Sequence, residues 1–401
     1  MTSSAKWNEK QLVENRIIAQ LKELDYEHLY GPSLDTERDS RSEIVLKGRL
    51  SKAIQYLNPW LSDVNLARVI RSITHIESTS LMEANQKFHE MIVNMISVQQ
   101  DLGKGKKNQT VRLIDFEKPE NNEFLVVEQF TISDAQGNIR PDLILFINGL
   151  PLVMVECKSP MLSPDEQIGE GVRQFTRYQT SHEQLFHYNQ FMIVTSNDRA
   201  KAGMIGAKAQ HYSEWKDPYP GTVAEIGDSP TPQDILTSGM LTKENLLDLI
   251  RNFIVYEPVE GRTIKKLARY QQFRAVNKAI NRILHTEDKT QRGGVVWHTQ
   301  GSGKSLTMLY LAVKLRRIKE LKNPTVVLVT DRKDLDDQIT NTFRRCGFPN
   351  PQQAESVLQL RKLLQQGAGS TIMTLVQKFQ EDAETKEFKN LSIAENIFVM
   401  I

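Results

Sequence analysis

Two carboxylates and an amine stand close together in the run Pro141-Asp142-Leu143-Ile144-Leu145-Phe146-Ile147-Asn148-Gly149-Leu150-Pro151-Leu152-Val153-Met154-Val155-Glu156-Cys157-Lys158. An Asn-Gly pair between two apolar runs predicts a hairpin. If Asp142 faces Glu156, the turn must centre on Gly149. Alternation along a strand then puts Glu156 and Lys158 on one face, and Asp142 joins them from the paired strand. The rest of both runs is apolar, as expected of strands covered on both faces. Neighbouring carboxylates repel, and a divalent cation relieves the repulsion. Mg²⁺ suits one or two carboxylates plus waters and phosphate oxygens. It would polarise a phosphodiester and lower the pKa of an attacking water. Lys158 would orient that water or offset charge growing on the phosphate. Asp142 and Glu156 are therefore candidate metal ligands and, with Lys158, candidate catalytic residues. The competing reading is an ion pair at a solvated strand end.

A second kind of chemistry is written in Val295-Val296-Trp297-His298-Thr299-Gln300-Gly301-Ser302-Gly303-Lys304-Ser305-Leu306. This spacing predicts strand, glycine loop and helix. Gly301 and Gly303 let the backbone curl so that N–H groups converge on phosphate oxygens. A helix starting near Lys304 adds its N-terminal dipole. Lys304 would reach the β- and γ-phosphates of ATP, and the Ser305 hydroxyl would help hold Mg²⁺. Thr299, Gln300, Gly301, Ser302, Gly303, Lys304 and Ser305 are the candidate nucleotide-binding residues. His298 departs from the general pattern, which wants glycine there.

These groups need elements to hold them. Val13, Ile17, Leu21 and Leu24 form one stripe of a first helix, with Asn8 as its cap and Gln11 reaching back. From Glu43 to Asn94 the pattern stays helical. Strands are expected at Val111–Phe116, Phe124–Ile132, Leu143–Ile147, Leu152–Cys157 and Phe191–Thr195. Ser163-Pro164-Asp165-Glu166 is a helix start, and that helix carries Gln174 and Tyr178 one turn apart on one face. Prolines and glycines crowd between Lys216 and Gly239, which places the domain boundary there. Helices follow at Lys243–Phe253 and Ile264–Leu284. The short apolar runs Val295–Trp297, Val326–Thr330, Thr371–Thr374 and Ile397–Ile401 then predict a buried parallel sheet.

At 401 residues two domains are expected. No stretch is long and apolar enough for a membrane span, and Met1 to Trp7 lacks the apolar core of a signal peptide, so the cytoplasm is expected. Two cysteines, Cys157 and Cys346, exclude a disulfide framework or a thiolate zinc site. A formal charge of +2 directs attention to local basic patches for any DNA contact.

Pro141-Asp142 followed by Glu156-Cys157-Lys158 is similar to the PD-(D/E)xK nuclease signature. Gln174 and Tyr178 resemble the Gln-x-x-x-Tyr element of the branch that includes exonuclease-type and motor-linked enzymes. That branch often adds a carboxylate from its first helix, which makes Glu14 a further candidate. Arg269-Tyr270-Gln271-Gln272-Phe273-Arg274-Ala275-Val276 resembles the helicase element in which a glutamine reads the adenine edge, and points to Gln272. Leu328 to Gln338 and Thr374 to Phe379 resemble superfamily 2 helicase motifs that hold one DNA strand. The resemblance implies DNA contacts from Thr330, Arg332, Thr374, Gln377 and Lys378.

The order of these motifs resembles the motor subunit of type I restriction enzymes, in which the His298-Thr299 variation is normal. The resemblance implies an α/β fold in two parts. Residues 1–215 would form a PD-(D/E)xK endonuclease domain, a mixed sheet flanked by helices with a helical insertion at about 43–100. Residues 216–242 would be a linker. Residues 243–401 would form the first RecA-like lobe, a parallel sheet truncated before the acids that complete the ATPase site. It further implies double-stranded DNA as substrate, ATP and Mg²⁺ as cofactors, and methylase and specificity subunits as partners. On this reading the 401 residues bind nucleotide without turning it over. Two alternatives stay open: another helicase–nuclease fusion of DNA repair or phage defence, and a non-catalytic scaffold for ATP and DNA.

Overall fold

The computed structural model describes residues 10–366, 368–380 and 396–401, so the cap expected at Asn8 lies outside them. The chain divides into two compact units between Arg251 and Asn252. That division lies beyond the expected linker. Residues 216–242 belong to the first unit and are folded into it. They carry the helix Pro232–Met240, whose Asp234 accepts from Arg16 Nε at 3.0 Å and from Gln20. Asn245 Nδ2 donates to Tyr219 O and Gly239 O at 2.8 and 2.9 Å. A Cβ on Gly239 would overlap the Trp215 indole. The prolines and glycines there start helices and permit close packing, two roles their composition shares with a tether.

The first unit is built on one large sheet. β1 (Glu27–Tyr30) follows the helix Asn15–Glu23, in which Ile17, Ile18 and Leu21 are buried. Three helices come next, Lys47–Leu57, Asp63–Thr74 and Leu81–Asn94. Ser62 and Ser80 cap the second and third through their side chains, satisfying first-turn N–H groups. β2 (Ile96–Asp101) and β3 (Lys106–Val111) form a separate hairpin. β4 (Phe124–Glu128), the short hairpin β5 (Ile132–Asp134) and β6 (Gly137–Ile139), then β7 (Leu143–Ile147) and β8 (Leu150–Cys157) follow. β9 (Phe191–Thr195), β10 (Ala200–Gly203) and β11 (Ser213–Glu214) complete the set.

The large sheet runs β1-β4-β7-β8-β9-β10-β11. It is mixed: β1/β4 and β8/β9 are parallel, and the other pairs antiparallel. β4, β7, β8 and β9 are buried along their whole length, which is why they read as continuous apolar runs. Two expected strands differ. Val111–Phe116 is not a strand, because pairing ends at Val111 and Asp115 then accepts from the backbone of Glu117 and Lys118. Phe124–Ile132 is interrupted at Gln129, which takes a positive φ of 56°.

The second unit opens with a hairpin, β12 (Ile254–Val259) and β13 (Arg262–Leu267), turning at Glu260-Gly261 with φ of 49° and 76°. It displaces the start of the helix expected at Ile264, which runs from Tyr270 to His285. β14 (Thr325–Thr330), β15 (Pro351–Gln353), β16 (Thr371–Leu375) and β17 (Ile397–Met400) form an all-parallel sheet in the order β15-β16-β14-β17. Val327, Val329 and Ile372 pack there with Ala354, Leu360 and Leu363. The strand expected at Val295–Trp297 is absent. None of the four strands pairs with it, and Val295 and Trp297 are 92% and 90% exposed. A three-residue run does not hold an extended form without a hydrogen-bonded neighbour.

Candidate active site

The hairpin β7–β8 turns at Asn148-Gly149, both residues in the left-handed region (φ 52° and 79°), as a two-residue turn requires. A Cβ on Gly149 would come within 2.6 Å of Leu46 O, so sterics also demand glycine. Asn148 is buried and spends its whole carboxamide. Its Nδ2 donates to Leu113 O and Asn122 Oδ1, each at 2.9 Å, and its Oδ1 accepts from Glu123 N.

From this turn the pairs are Ile147↔Leu150 and Phe146↔Pro151, then Leu145↔Val153 and Leu143↔Val155. Leu152 is therefore a bulge, next to a proline that has no N–H to give the ladder. The bulge sets the register. Regular pairing from the turn would have put Asp142 opposite Val155, with Glu156 on the other face. With the extra residue absorbed, the ladder leads to Asp142 opposite Glu156, the pairing expected from the sequence. The centre expected at Gly149 is thus produced by a turn plus a bulge.

At this sheet edge Asp142 Oδ2 accepts from Cys157 N at 2.7 Å. Lys158 Nζ donates to Glu156 Oε2 at 3.1 Å. Glu156 is wholly buried. Its burial, then the charge of Asp142, push its carboxyl well above the usual range, and Lys158 offsets this only in part. Glu156 Oε1 is enclosed and meets no hydrogen-bond donor among the described residues. An enclosed carboxylate oxygen without a donor, beside a second carboxylate, fits a hard cation, and Asp142 and Glu156 are the residues that could hold it.

The helix Pro164–Ser181 covers the Glu156 face. A capping box of Ser163 and Glu166 starts it. Gly171 lets it press on Val194, the parallel partner of Glu156, where a Cβ would overlap the valine. Gln174 Nε2 donates to Tyr178 Oη at 2.7 Å. The Tyr178 hydroxyl is pushed up to about 12, first by burial and then by the Glu156 charge, so this pair stands at the site. Glu14 is buried in the short π-helical turn Lys10–Glu14 and adds its charge to the environment of Cys157. It does not complete a three-carboxylate group: among the described residues no three of His, Cys, Asp and Glu converge on one ion position. Sequence reasoning missed Gln167 and Ser196, which hold the loop after Lys158. Gln167 lies two helical turns before Gln174, and that spacing was the available signal.

In the second unit Gly301 and Gly303 take φ of 76° and 84°, and the helix Lys304–Arg317 starts directly after them. Lys304 is exposed, as are Thr299 and Gln300, while Ser302 and Ser305 are half-buried. Gln272 is buried against this loop. Its Nε2 donates to Gly303 O at 3.0 Å and its Oε1 accepts from Arg269 N at 2.8 Å. Thr330 ends β14 beside Leu375 of β16, which brings the two downstream motifs to one sheet edge. Gln377 Nε2 donates to Asp331 O at 2.8 Å, Arg332 is exposed, and Lys378 donates to Ala354 O. Thr330 and Thr374 are both buried, so neither hydroxyl is presented with Arg332 and Gln377.

Residues 6–210 match the family described as Type I restriction enzyme R protein N terminus, and residues 271–401 match SWI2/SNF2 ATPase. The type I restriction enzyme HindI endonuclease subunit of Haemophilus influenzae is 36% identical over 97% of this chain and 38% of its own length. A protein of Methanocaldococcus jannaschii, provisionally named the type I restriction enzyme MjaIXP endonuclease subunit, is 33% identical over 99% of this chain and 40% of its own. The chain thus spans about two fifths of the length of these relatives.

Proposed function

The chain belongs to the family of type I restriction enzyme R protein N termini, and from that premise we propose that its first unit is a PD-(D/E)xK endonuclease that cuts double-stranded DNA with Mg²⁺. The observation that carries the proposal is the ladder that runs to Leu143↔Val155 and sets Asp142 beside the buried Glu156, whose Oε1 meets no donor among the described residues. Asp142 and Glu156 would hold the ion, which when bound supplies charge neutralisation at the phosphate and a more acidic water. Lys158 Nζ, fixed 3.1 Å from Glu156 Oε2, would hold the attacking water or meet the charge growing on the phosphate. The Gln174–Tyr178 pair would orient the phosphate from the covering helix. Glu14 would act from the edge of the site.

The second unit is proposed as the first RecA-like lobe of a superfamily 2 motor. Lys304 and the N–H groups of Thr299 to Gly303 would take the phosphates of ATP, Ser305 would share in its Mg²⁺, and Gln272 would fix the loop and the adenine edge. Arg332, Gln377 and Lys378 would meet a DNA backbone, with the buried Thr330 and Thr374 supporting their strands. In the whole protein, cleavage would follow ATP-driven translocation in a cytoplasmic complex with methylase and specificity subunits, which would choose the sequence. The test is Glu156→Ala in that complete complex. Cleavage should fall by about a thousandfold or more, while the protein still folds and Lys304-dependent nucleotide binding persists. Undiminished cleavage would remove the site assignment.

A further inference from the structure

The segment that leaves the catalytic strand, Ser159 to Leu162, is tied down by one buried side chain. Gln167 Nε2 donates to Pro160 O at 3.1 Å and to Leu162 O at 2.8 Å. Its Oε1 accepts from Ser196 Oγ at 2.6 Å. All three bonds of this carboxamide are made inside the protein, and both Gln167 and Ser196 are buried. Ser196 is the residue after Thr195, and Thr195 O accepts from Lys158 N at 2.8 Å. The backbone of Lys158 is therefore held from two sides. β9 holds it directly, and Gln167 holds the chain just beyond it while itself anchored on the end of β9.

A lysine needs such support here. Its four-carbon stem has many rotamers, and a charge that must stay beside Glu156 loses that freedom at a cost in entropy. Fixing the chain on both sides of its Cα narrows the positions the ammonium can reach. Ser159 Oγ also accepts from Met161 N at 3.3 Å, which tightens the same loop.

We propose that Gln167, anchored by Ser196, is a positioning residue for Lys158: it clamps the Ser159–Leu162 loop so that the amine stays over the Glu156 carboxylate. This inference rests on the nuclease reading above and deepens it. The clamp lies downstream of Asp142 and Glu156, and its side-chain hydrogen bonds go to Pro160, Leu162 and Arg199 rather than to either acid, so it should govern the chemical step and leave metal binding alone.

The experiment measures duplex DNA cleavage against Mg²⁺ concentration in the full-length protein with its partner subunits. Gln167→Ala should lower kcat about ten- to a hundredfold, the scale of a small misplacement of a reacting group. The Mg²⁺ half-saturation should stay within about twofold of wild type. Ser196→Ala keeps both donor bonds of Gln167 and should lower kcat less, in the same direction. In a Lys158→Ala background Gln167→Ala should cost nothing more, because both changes remove the same contribution. A kcat and a metal affinity that fall together, or additive losses in the double variant, would overturn the proposal and leave Gln167 a structural residue. Wild-type rates in both Gln167→Ala and Ser196→Ala would also overturn it. Should Gln167→Ala fail to fold, Ser196→Ala decides alone. Glu156→Gln runs beside them: loss of cleavage there with normal cleavage in Gln167→Ala sinks the clamp only, whereas normal cleavage in Glu156→Gln sinks the nuclease reading beneath it.

Discussion

The carboxylate site of the first unit and the glycine loop of the second are both short motifs set on apolar strands, yet they rest on different supports. Asp142 and Glu156 belong to one hairpin, joined by a two-residue turn, and the strands flanking that hairpin are fully buried. The glycine loop is expected to follow a strand, and strands of a parallel sheet must find neighbours far along the chain. Val295 to Trp297 has no such neighbour among the described residues. A hairpin motif carries its own partner with it. A parallel-sheet motif borrows its partners, so its immediate surroundings say less about its final geometry.

Three measurements press on this contrast. The largest effect is expected in the first unit's core. Phe146 is fully buried and meets Phe130 edge to face with ring centroids 5.3 Å apart. Phe146→Ala should destabilise that unit by about 3–5 kcal/mol in denaturant titration. A loss near 1 kcal/mol, the scale of an ordinary substitution, would mean that the hairpin is not the rigid support described here. An intermediate effect is expected from the charges themselves. Burial and the charge of the half-buried Asp142 oppose ionisation of Glu156, so Glu156→Gln, which cannot ionise, should melt above wild type at neutral pH without metal. Adding Mg²⁺ at about ten times its dissociation constant should stabilise wild type by about 1.4 kcal/mol. The variant should not respond. Equal responses of the two proteins would show that Mg²⁺ binds elsewhere. The smallest effect belongs to the second unit. Trp297 is 90% exposed, so Trp297→Ala should change stability by less than about 0.5 kcal/mol. A loss of several times that size would show that the tryptophan strand is docked and would erase the contrast.

How much of this was legible in the sequence follows the same division. Leu143–Ile147 and Phe191–Thr195 have their expected bounds because continuous apolar runs between turn residues permit little else. The register that leads Asp142 towards Glu156 was also legible, though its mechanism was not, since nothing in Leu152 itself announces a bulge. The three helices within 43–100 were expected only as an undivided helical region. β12–β13 was hidden because Ile264 and Leu267 stand at helical i, i+3 spacing, whereas in the strand they fall on opposite faces, with Ile264 exposed and Lys265 buried. The linker was misread because proline and glycine mark helix starts and tight contacts as well as tethers. Gln167 was passed over because only its place two turns before Gln174 sets it apart in sequence from any other polar position on a helix.

The bulge at Leu152 has a consequence for how this hairpin can change length. An odd number of residues separates Asp142 from Glu156, whereas a plain hairpin closed by a two-residue turn needs an even number to set two residues face to face. Leu152 is the odd residue. Deleting any one paired residue between the carboxylates while the turn and bulge persist would move one acid out of step and send the two to opposite faces of the sheet. Deleting Leu152 alone would leave Leu145 opposite Val153 and the acids opposite each other. The hairpin thus tolerates exchange of its apolar side chains far more readily than a change in their count, and it has one position where the count can fall by one without separating the acids.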